Sequence, residues 1–248
     1  AIHYAQEGFQ VGPKTAYFWK LAQQRMAEFP AFCEHFMPAP RAGGKFYRPD
    51  MVATLKSIAA SGGESFFRGQ IADQIAAAAE SAGAWLTADD LARHQCDWVT
   101  PVEQRYQDIS LHEIPPNGQG LAAQIGLGIL NYLPVTDPAT GEGIHVQIEA
   151  MKMAIAASFA HFADLAAMRL SPEALLGAQT LQRAAQQIGE RAAHPESVEL
   201  PVSHDTVYLA AADRDGMMVS FIQSNYQGFG SGIVIPGTGI SMQNRGCV

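Results

Sequence analysis

Thr206 is the residue in this chain best placed to act as a nucleophile. It heads an apolar run, Val207-Tyr208-Leu209-Ala210-Ala211-Ala212, and follows a polar segment ending Ser203-His204-Asp205. A threonine hydroxyl needs no histidine when its own α-amine serves as the base, which requires the residue to be N-terminal. Cleavage of the Asp205–Thr206 bond would supply that amine. The run is followed by Asp213-Arg214-Asp215-Gly216, a turn composition, and by a second apolar run from Met217 to Ser224. Together these predict a β-hairpin. A four-residue turn sets Thr206 opposite Gln223, whereas a bulge at Gly216 sets it opposite Ser224. In either register a polar side chain stands at the hairpin's open end. An ordinary β-branched strand residue would fit the same position, so the hairpin alone does not decide Thr206's role.

Other chemistry-bearing patterns are weaker. Gly228-Phe229-Gly230-Ser231-Gly232 allows close backbone approach, but it lacks dinucleotide spacing, and no phosphate-binding lysine follows. Ser231 is not in a nucleophile elbow. His145 and Glu149, four apart on a helix, have no second histidine to complete a metal set and read as a surface ion pair. Cys33, Cys96 and Cys247 form no C-x-x-C pair and read as free thiols, which favours a cytoplasmic over a periplasmic setting. No metal or other cofactor is expected.

The elements that must position these groups are mostly helical. Lys14 to Glu28 has mixed helical spacing that stops at Pro30, and Phe32 to Gly44 reads as a loop. Pro49 and Asp50 open a helix with Met51, Leu55 and Ile58 on one face, closed by Gly62-Gly63. A second helix from Gly69 to Ala82 directs Ile71 and Ile75 inward. Thr87 and Asp90 form a capping box. Val99 to His112 reads as one or two strands. Leu121 to Leu133 is an apolar helix in which Gly126 and Gly128 permit close packing. His145 to Met168 is apolar nearly all round, which predicts burial with Met151, Met153 and Ala157 in the core. A further helix starts at Ser171-Pro172-Glu173 and runs towards Ile188. Residues 189–205 then turn polar and read as an exposed, mobile linker leading to Thr206. Helices first and a hairpin last point to α+β or a layered α/β arrangement rather than βαβ alternation.

Composition bounds the function. With 48% hydrophobic and 16% charged residues among 248, the chain can bury a sizeable core. The formal net charge of −8 argues against a nucleic-acid partner. No apolar run approaches the roughly 20 residues of a membrane span.

The ordered blocks resemble one family. Arg48-Pro49-Asp50-Met51, Phe66-Phe67, Leu86-Thr87, Pro115-Pro116-Asn117-Gly118-Gln119-Gly120, His145-Val146-Gln147-Ile148-Glu149 and Phe229-Gly230-Ser231-Gly232 to Asn244 are similar to the γ-glutamyltransferase (γ-glutamyltranspeptidase) family of N-terminal-nucleophile hydrolases, including its members related to cephalosporin acylases. The resemblance implies an αββα four-layer sandwich and a precursor that cuts itself before a threonine. Thr206 aligns with that nucleophile, and Ser224 with a family threonine that supports it. Residues 1–205 then correspond to the later part of the large subunit and 206–248 to the start of the small one, as an internal piece of a longer precursor. The implied partners are a small-molecule amide and the two subunits of one precursor, assembled as a homodimer of heterodimers. The implied reaction passes a γ-glutamyl group through an ester to water or an amine, with Tyr226, Gly230, Ser231 and Asn244 at the substrate.

Two positions depart from that pattern. Tyr226 replaces a substrate-binding asparagine of the transpeptidases, and Val248 falls where an aspartate reads the α-amino group. The departures favour a second reading, an acylase acting on a dicarboxylic-acid amide such as a glutaryl side chain. A third is an uncleaved member serving as a binding module. The family's carboxylate-binding arginine is expected upstream of Ala1, and its oxyanion segment downstream of Val248.

Overall fold

The computed structural model describes residues 1–193 and 206–245. It divides into two compact units, residues 1–95 with 206–245, and residues 96–193. This division is spatial and cuts across the expected subunit boundary at Thr206.

In the first unit, α1 (Ile2–Glu7) and β1 (Phe9–Gln10) precede α2 (Pro13–Arg25) and α3 (Pro30–Phe36). The loop expected after Pro30 is therefore helical at its start. Pro30 sits at the first helical turn, where its missing N–H costs nothing, so it begins a helix rather than only ending one. Next come β2 (Lys45–Phe46), antiparallel to β1, then α4 (Pro49–Ala60), α5 (Glu64–Phe67), α6 (Gln70–Ser81) and α7 (Ala88–Arg93). Ile71 and Ile75 are buried on α6 as expected. Thr87 and Asp90 close a capping box on α7, with each side chain bonded to the other's backbone N–H.

The second unit holds the antiparallel pair β3 (Val102–Tyr106) and β4 (Ile109–Glu113), followed by α8 (Gly120–Leu130) and α9 (Gly141–His161). Two short helices follow, α10 (Pro172–Leu175) and α11 (Ala178–Ala185), interrupted at Leu176-Gly177 where one helix was expected. Leu121, Ile125, Ile129, Ala150, Ala154, Leu175 and Leu181 form its core. The glycines of α8 explain the close packing. A Cβ at Gly126 would lie 2.6 Å from Met151 Sδ, and one at Gly128 would lie 2.7 Å from Leu181 Cδ1. The expectation that α9 is largely buried is corrected. It packs one face on α8, and Ile144, Ile148 and Phe159 on its other face are exposed. Met153 and Ala157 pack against the core only in part, and Met151 is 37% exposed. Apolar composition all round gives no amphipathic period, so the pattern could not show which face would be covered.

His145 and Glu149 form no pair with each other. His145 Nε2 meets the Gly189 carbonyl at 2.7 Å. Glu149 accepts from Lys152 Nζ at 2.8 Å and from the Ala193 N–H at 3.2 Å, and Lys152 also donates to the Ala193 carbonyl. A nearly buried carboxylate thus fixes the backbone at Ala193, with its charge matched by Lys152. These partners hold the Glu149 carboxyl below its usual range: the Lys152 hydrogen bond is the main cause, and it outweighs the partial burial.

The chain returns to the first unit with β5 (Val207–Ala212) and β6 (Met218–Gln223), an antiparallel hairpin exposed on both faces. The segment after it supplies the unit's packing. Phe229 lies against Trp19, Phe32 and Phe36 at ring separations of 5.1, 5.0 and 4.9 Å. Val234 joins the same cluster, while Ile233, Ile235, Ile240 and Met242 pack with Ile71, Ile75 and Leu91. Each large apolar side chain fully buried in this way contributes about 1.5–3 kcal/mol. Residues 229–242 therefore join two apolar clusters built by the N-terminal helices.

Candidate active site

The hairpin register decides between the two expected partners of Thr206. Val207 pairs with Gln223 and Ala212 with Met218, and continuing that register by one pair sets Thr206 opposite Ser224. The tip explains the choice. Asp213 N–H donates to Met217 O at 3.0 Å, leaving Arg214-Asp215-Gly216 as a three-residue loop with Gly216 at φ 87°. This is the turn-plus-glycine-bulge form favoured for such loops. Asp213 Oδ1 fixes it by accepting from the Asp215 and Met217 N–H groups at 2.9 and 3.0 Å.

At the open end the Thr206 hydroxyl donates to Ser224 Oγ at 3.1 Å. Ser224 Oγ also accepts the Tyr226 N–H at 2.9 Å. Ser224 is therefore held by its own downstream backbone, and its oxygen is aimed at the Thr206 oxygen. Tyr226 has φ 76°, a left-handed conformation that costs a bulky residue about 1–3 kcal/mol. It is 8% exposed, with the Arg245 guanidinium 4.7 Å from its ring centroid.

Asn244 latches the returning chain onto this corner. Its Oδ1 accepts from Gln227 N–H at 2.9 Å, its Nδ2 donates to Gly230 O at 3.2 Å, and its backbone N–H donates to Asn225 O at 3.2 Å. Gly230 has φ 80°, and a Cβ there would overlap the Met242 carbonyl oxygen. Ser231 donates from its hydroxyl to Met242 O at 3.0 Å and accepts the Ile233 N–H at 3.3 Å. Gly230, Ser231 and Asn244 thus share one loop with Tyr226, and the polar atoms of Ser231 and Asn244 bond within it. Asp205 and Val248 lie outside the described residues.

A brace that sequence reasoning missed sits beneath this loop. Arg48 donates to both carboxylate oxygens of Asp50, at 3.1 and 2.9 Å, and to the Gly239 carbonyl at 2.6 Å. Its guanidinium also lies 4.6 Å from the Phe36 ring centroid. His35 Nδ1 stands 3.0 Å from Asp50 Oδ2. One turn along α4, the buried Thr54 hydroxyl donates to Thr238 O at 2.9 Å. The Thr238 hydroxyl in turn donates to Ile235 O and accepts the Ile240 N–H, at 2.9 and 3.0 Å. Partial burial would by itself raise the Asp50 pKa. The Arg48 hydrogen bonds and charge, the Met51 N–H and His35 outweigh it and hold the carboxyl below its ordinary value. Arg48-Pro49-Asp50 reads in the sequence as a helix start and as a block of the family resemblance, and neither reading specifies Gly239 or Thr238 as a partner.

Comparison with known proteins adds context to this geometry. A sequence profile described as Gamma-glutamyltranspeptidase matches residues 1–247. An oxamate amidohydrolase proenzyme of Klebsiella pneumoniae is 34% identical, and the alignment covers 99% of this chain and 47% of that protein. A glutathione hydrolase-like YwrD proenzyme of Bacillus subtilis shows the same identity and coverage. A crystal structure of cephalosporin acylase from Bacillus halodurans superposes with a TM-score of 0.90 at 44% identity, covering 99% of this chain and 46% of that one. The chain spans about half the length of these relatives.

Proposed function

The chain belongs to the gamma-glutamyltranspeptidase family, and on that footing we propose that it carries the nucleophile of an autoprocessing amide hydrolase, with Thr206 attacking and Ser224 supporting it. The observation that carries this reading is the 3.1 Å contact between the two hydroxyls at the end of a register-fixed hairpin. Its proenzyme relatives support cleavage at Asp205–Thr206. In that step Thr206 Oγ1 attacks the Asp205 carbonyl and the peptide bond becomes an ester. That shift frees the Thr206 amine, and water then hydrolyses the ester to an Asp205 carboxylate and the Thr206 hydroxyl.

In turnover the freed amine takes the Thr206 hydroxyl proton as Oγ1 attacks the substrate's amide carbonyl. The Ser224 hydroxyl can turn to donate to Oγ1, since its own oxygen is already held by the Tyr226 N–H. Collapse of the tetrahedral adduct expels the amine with that proton and leaves an acyl ester for water or an acceptor amine. Cleavage divides residues 1–205 from 206–248. Burial of Phe229, Val234 and Ile235 among the N-terminal helices keeps the two products together. The finer expectations, an αββα sandwich, a dimer of processed heterodimers and a cytoplasmic setting, belong to the same proposal.

Two acyl groups fit the family: γ-glutamyl, as in glutathione, and the acyl group of an acylase substrate. The buried Tyr226, at the position where transpeptidases resembling this chain carry asparagine, favours the second. Mass spectrometry of the full-length protein tests the core of the proposal. A new N-terminus at Thr206, absent in Thr206→Ala, is expected. An intact precursor, or cutting that persists in the variant, would refute it.

A further inference from the structure

From Gly216 onward the sequence contains no Asp, Glu, Lys or His, and Arg245 is the single ionised side chain. Every group this segment presents near Thr206 is neutral except that guanidinium. Three other arginines of the same unit have side-chain partners, while Arg25 and Arg41 have none among the described residues. Arg48 donates to Asp50 and Gly239, Arg68 to Glu64 and His94, and Arg93 to Asp89 and Asp90. Among the described residues, Arg245 has one hydrogen bond, from its backbone N–H to the Gln243 side chain, and its guanidinium rests on the Tyr226 ring.

Resting on a ring occupies the guanidinium's face and leaves its in-plane N–H donors available. That planar fork matches a carboxylate in bidentate fashion. The ring beneath it belongs to the residue whose N–H holds Ser224 Oγ, and Ser224 holds Thr206. Thr206 thus meets Ser224, Ser224 meets the backbone of Tyr226, and Arg245 meets the ring of that same residue. For its far end to meet Arg245, an acyl group bonded to Thr206 Oγ1 has to run past Tyr226. An ammonium there would face like charge, with no acid in this segment to accept it. A carboxylate there would meet a cation that has no ion pair among the described residues.

Resting on the amide-hydrolase reading above, we infer that Arg245 is the specificity-determining residue of the acyl subsite and that it reads a terminal carboxylate. The substrate class is then the monoamides of dicarboxylic acids. The supporting geometry is the Arg245–Tyr226–Ser224–Thr206 sequence of contacts.

The test uses the full-length, processed enzyme and three p-nitroanilides: glutaryl, the neutral pentanoyl analogue of the same length, and γ-glutamyl. The unaltered enzyme should prefer glutaryl over pentanoyl in kcat/KM by at least about tenfold. One charge-assisted contact corresponds to a factor of about ten to a hundred, and Arg245→Gln should lower that ratio by this factor. Arg245→Lys should recover part of it, since it keeps the charge and loses the fork. All ratios are taken on the fraction whose small subunit begins at Thr206. A glutaryl-to-pentanoyl ratio near one, a ratio unmoved in Arg245→Gln, or a preference for γ-glutamyl over glutaryl overturns the inference and leaves the Thr206 mechanism standing. A chain that never frees Thr206 overturns both.

Discussion

Thr54→Val isolates the contact that ties α4 to the loop behind the candidate nucleophile. Thr54 is 5% exposed, and its hydroxyl is bonded to Thr238 O at 2.9 Å. Valine keeps the branched shape, so no cavity forms, but the Thr238 carbonyl loses its donor in a buried setting. A stranded buried acceptor costs about 1–3 kcal/mol. The methyl that replaces the hydroxyl returns up to about 0.8 kcal/mol. The net expectation is a loss of about 1–2 kcal/mol, read as a lower urea midpoint in the full-length protein. Global stability alone does not separate this from Thr54→Ser, which keeps the donor and loses a buried methyl for a comparable cost. Hydrogen exchange does. The amides of Thr238, Ile240 and Met242 all bond within the turn that Thr54 anchors. In Thr54→Val they should exchange about five- to thirtyfold faster, the factor equivalent to 1–2 kcal/mol. In Thr54→Ser they should keep their protection. Unchanged exchange in the valine variant, or equal acceleration in both variants, would show that the hydroxyl does not hold the turn.

Two further predictions concern the same loop. The Asp50 carboxyl titrates below its ordinary value of 3.8 in the folded protein, with Arg48 and His35 beside it. Its contribution to stability is therefore present above the unfolded pKa and lost as pH falls through the lower folded value. Asp50→Asn should be less stable than the parent at pH 7, and the difference should shrink below about pH 4. Parallel urea midpoints of the two proteins from pH 7 to pH 3 would contradict it. Gly230→Ala should cost at least about 2 kcal/mol, because alanine must take φ 80° and its Cβ overlaps the Met242 carbonyl. A loss below about 0.5 kcal/mol by denaturant unfolding would mean that the two backbone segments do not approach closely.

What the sequence revealed follows physical range. The hairpin was readable because apolar runs and turn chemistry are local, and its register was narrowed to two choices that differ by one bulge residue. Ile71, Ile75 and the Thr87–Asp90 box were readable for the same reason: each depends on residues within one or two turns. The brace was not readable in advance. Thr54 with Thr238, and Arg48 with Gly239, are joined across nearly the whole chain, and nothing near Thr54 distinguishes it from a solvent-facing helix threonine. The reversal at His145 and Glu149 has a similar origin. Spacing put them on one helix face, but their partners are backbone groups of residues 189 and 193, which no helical pattern specifies. Tyr226 shows the opposite case. Its departure from the family pattern was visible in the sequence, and the cation on its ring was not.

The hairpin tip has a consequence for how this family can vary. Exposed loop tips ordinarily accept insertions and deletions freely. Here the length of Arg214-Asp215-Gly216 sets which residue of β6 meets Thr206, six strand pairs away. Removing one residue while the tip keeps its three-residue form shifts the pairing by about 3.3 Å and turns every β6 side chain to the opposite face. Ser224 would then leave Thr206, and Gln223 would take its place. The tip acts as a ruler: a solvent-exposed loop that touches no substrate constrains the chemistry through length alone.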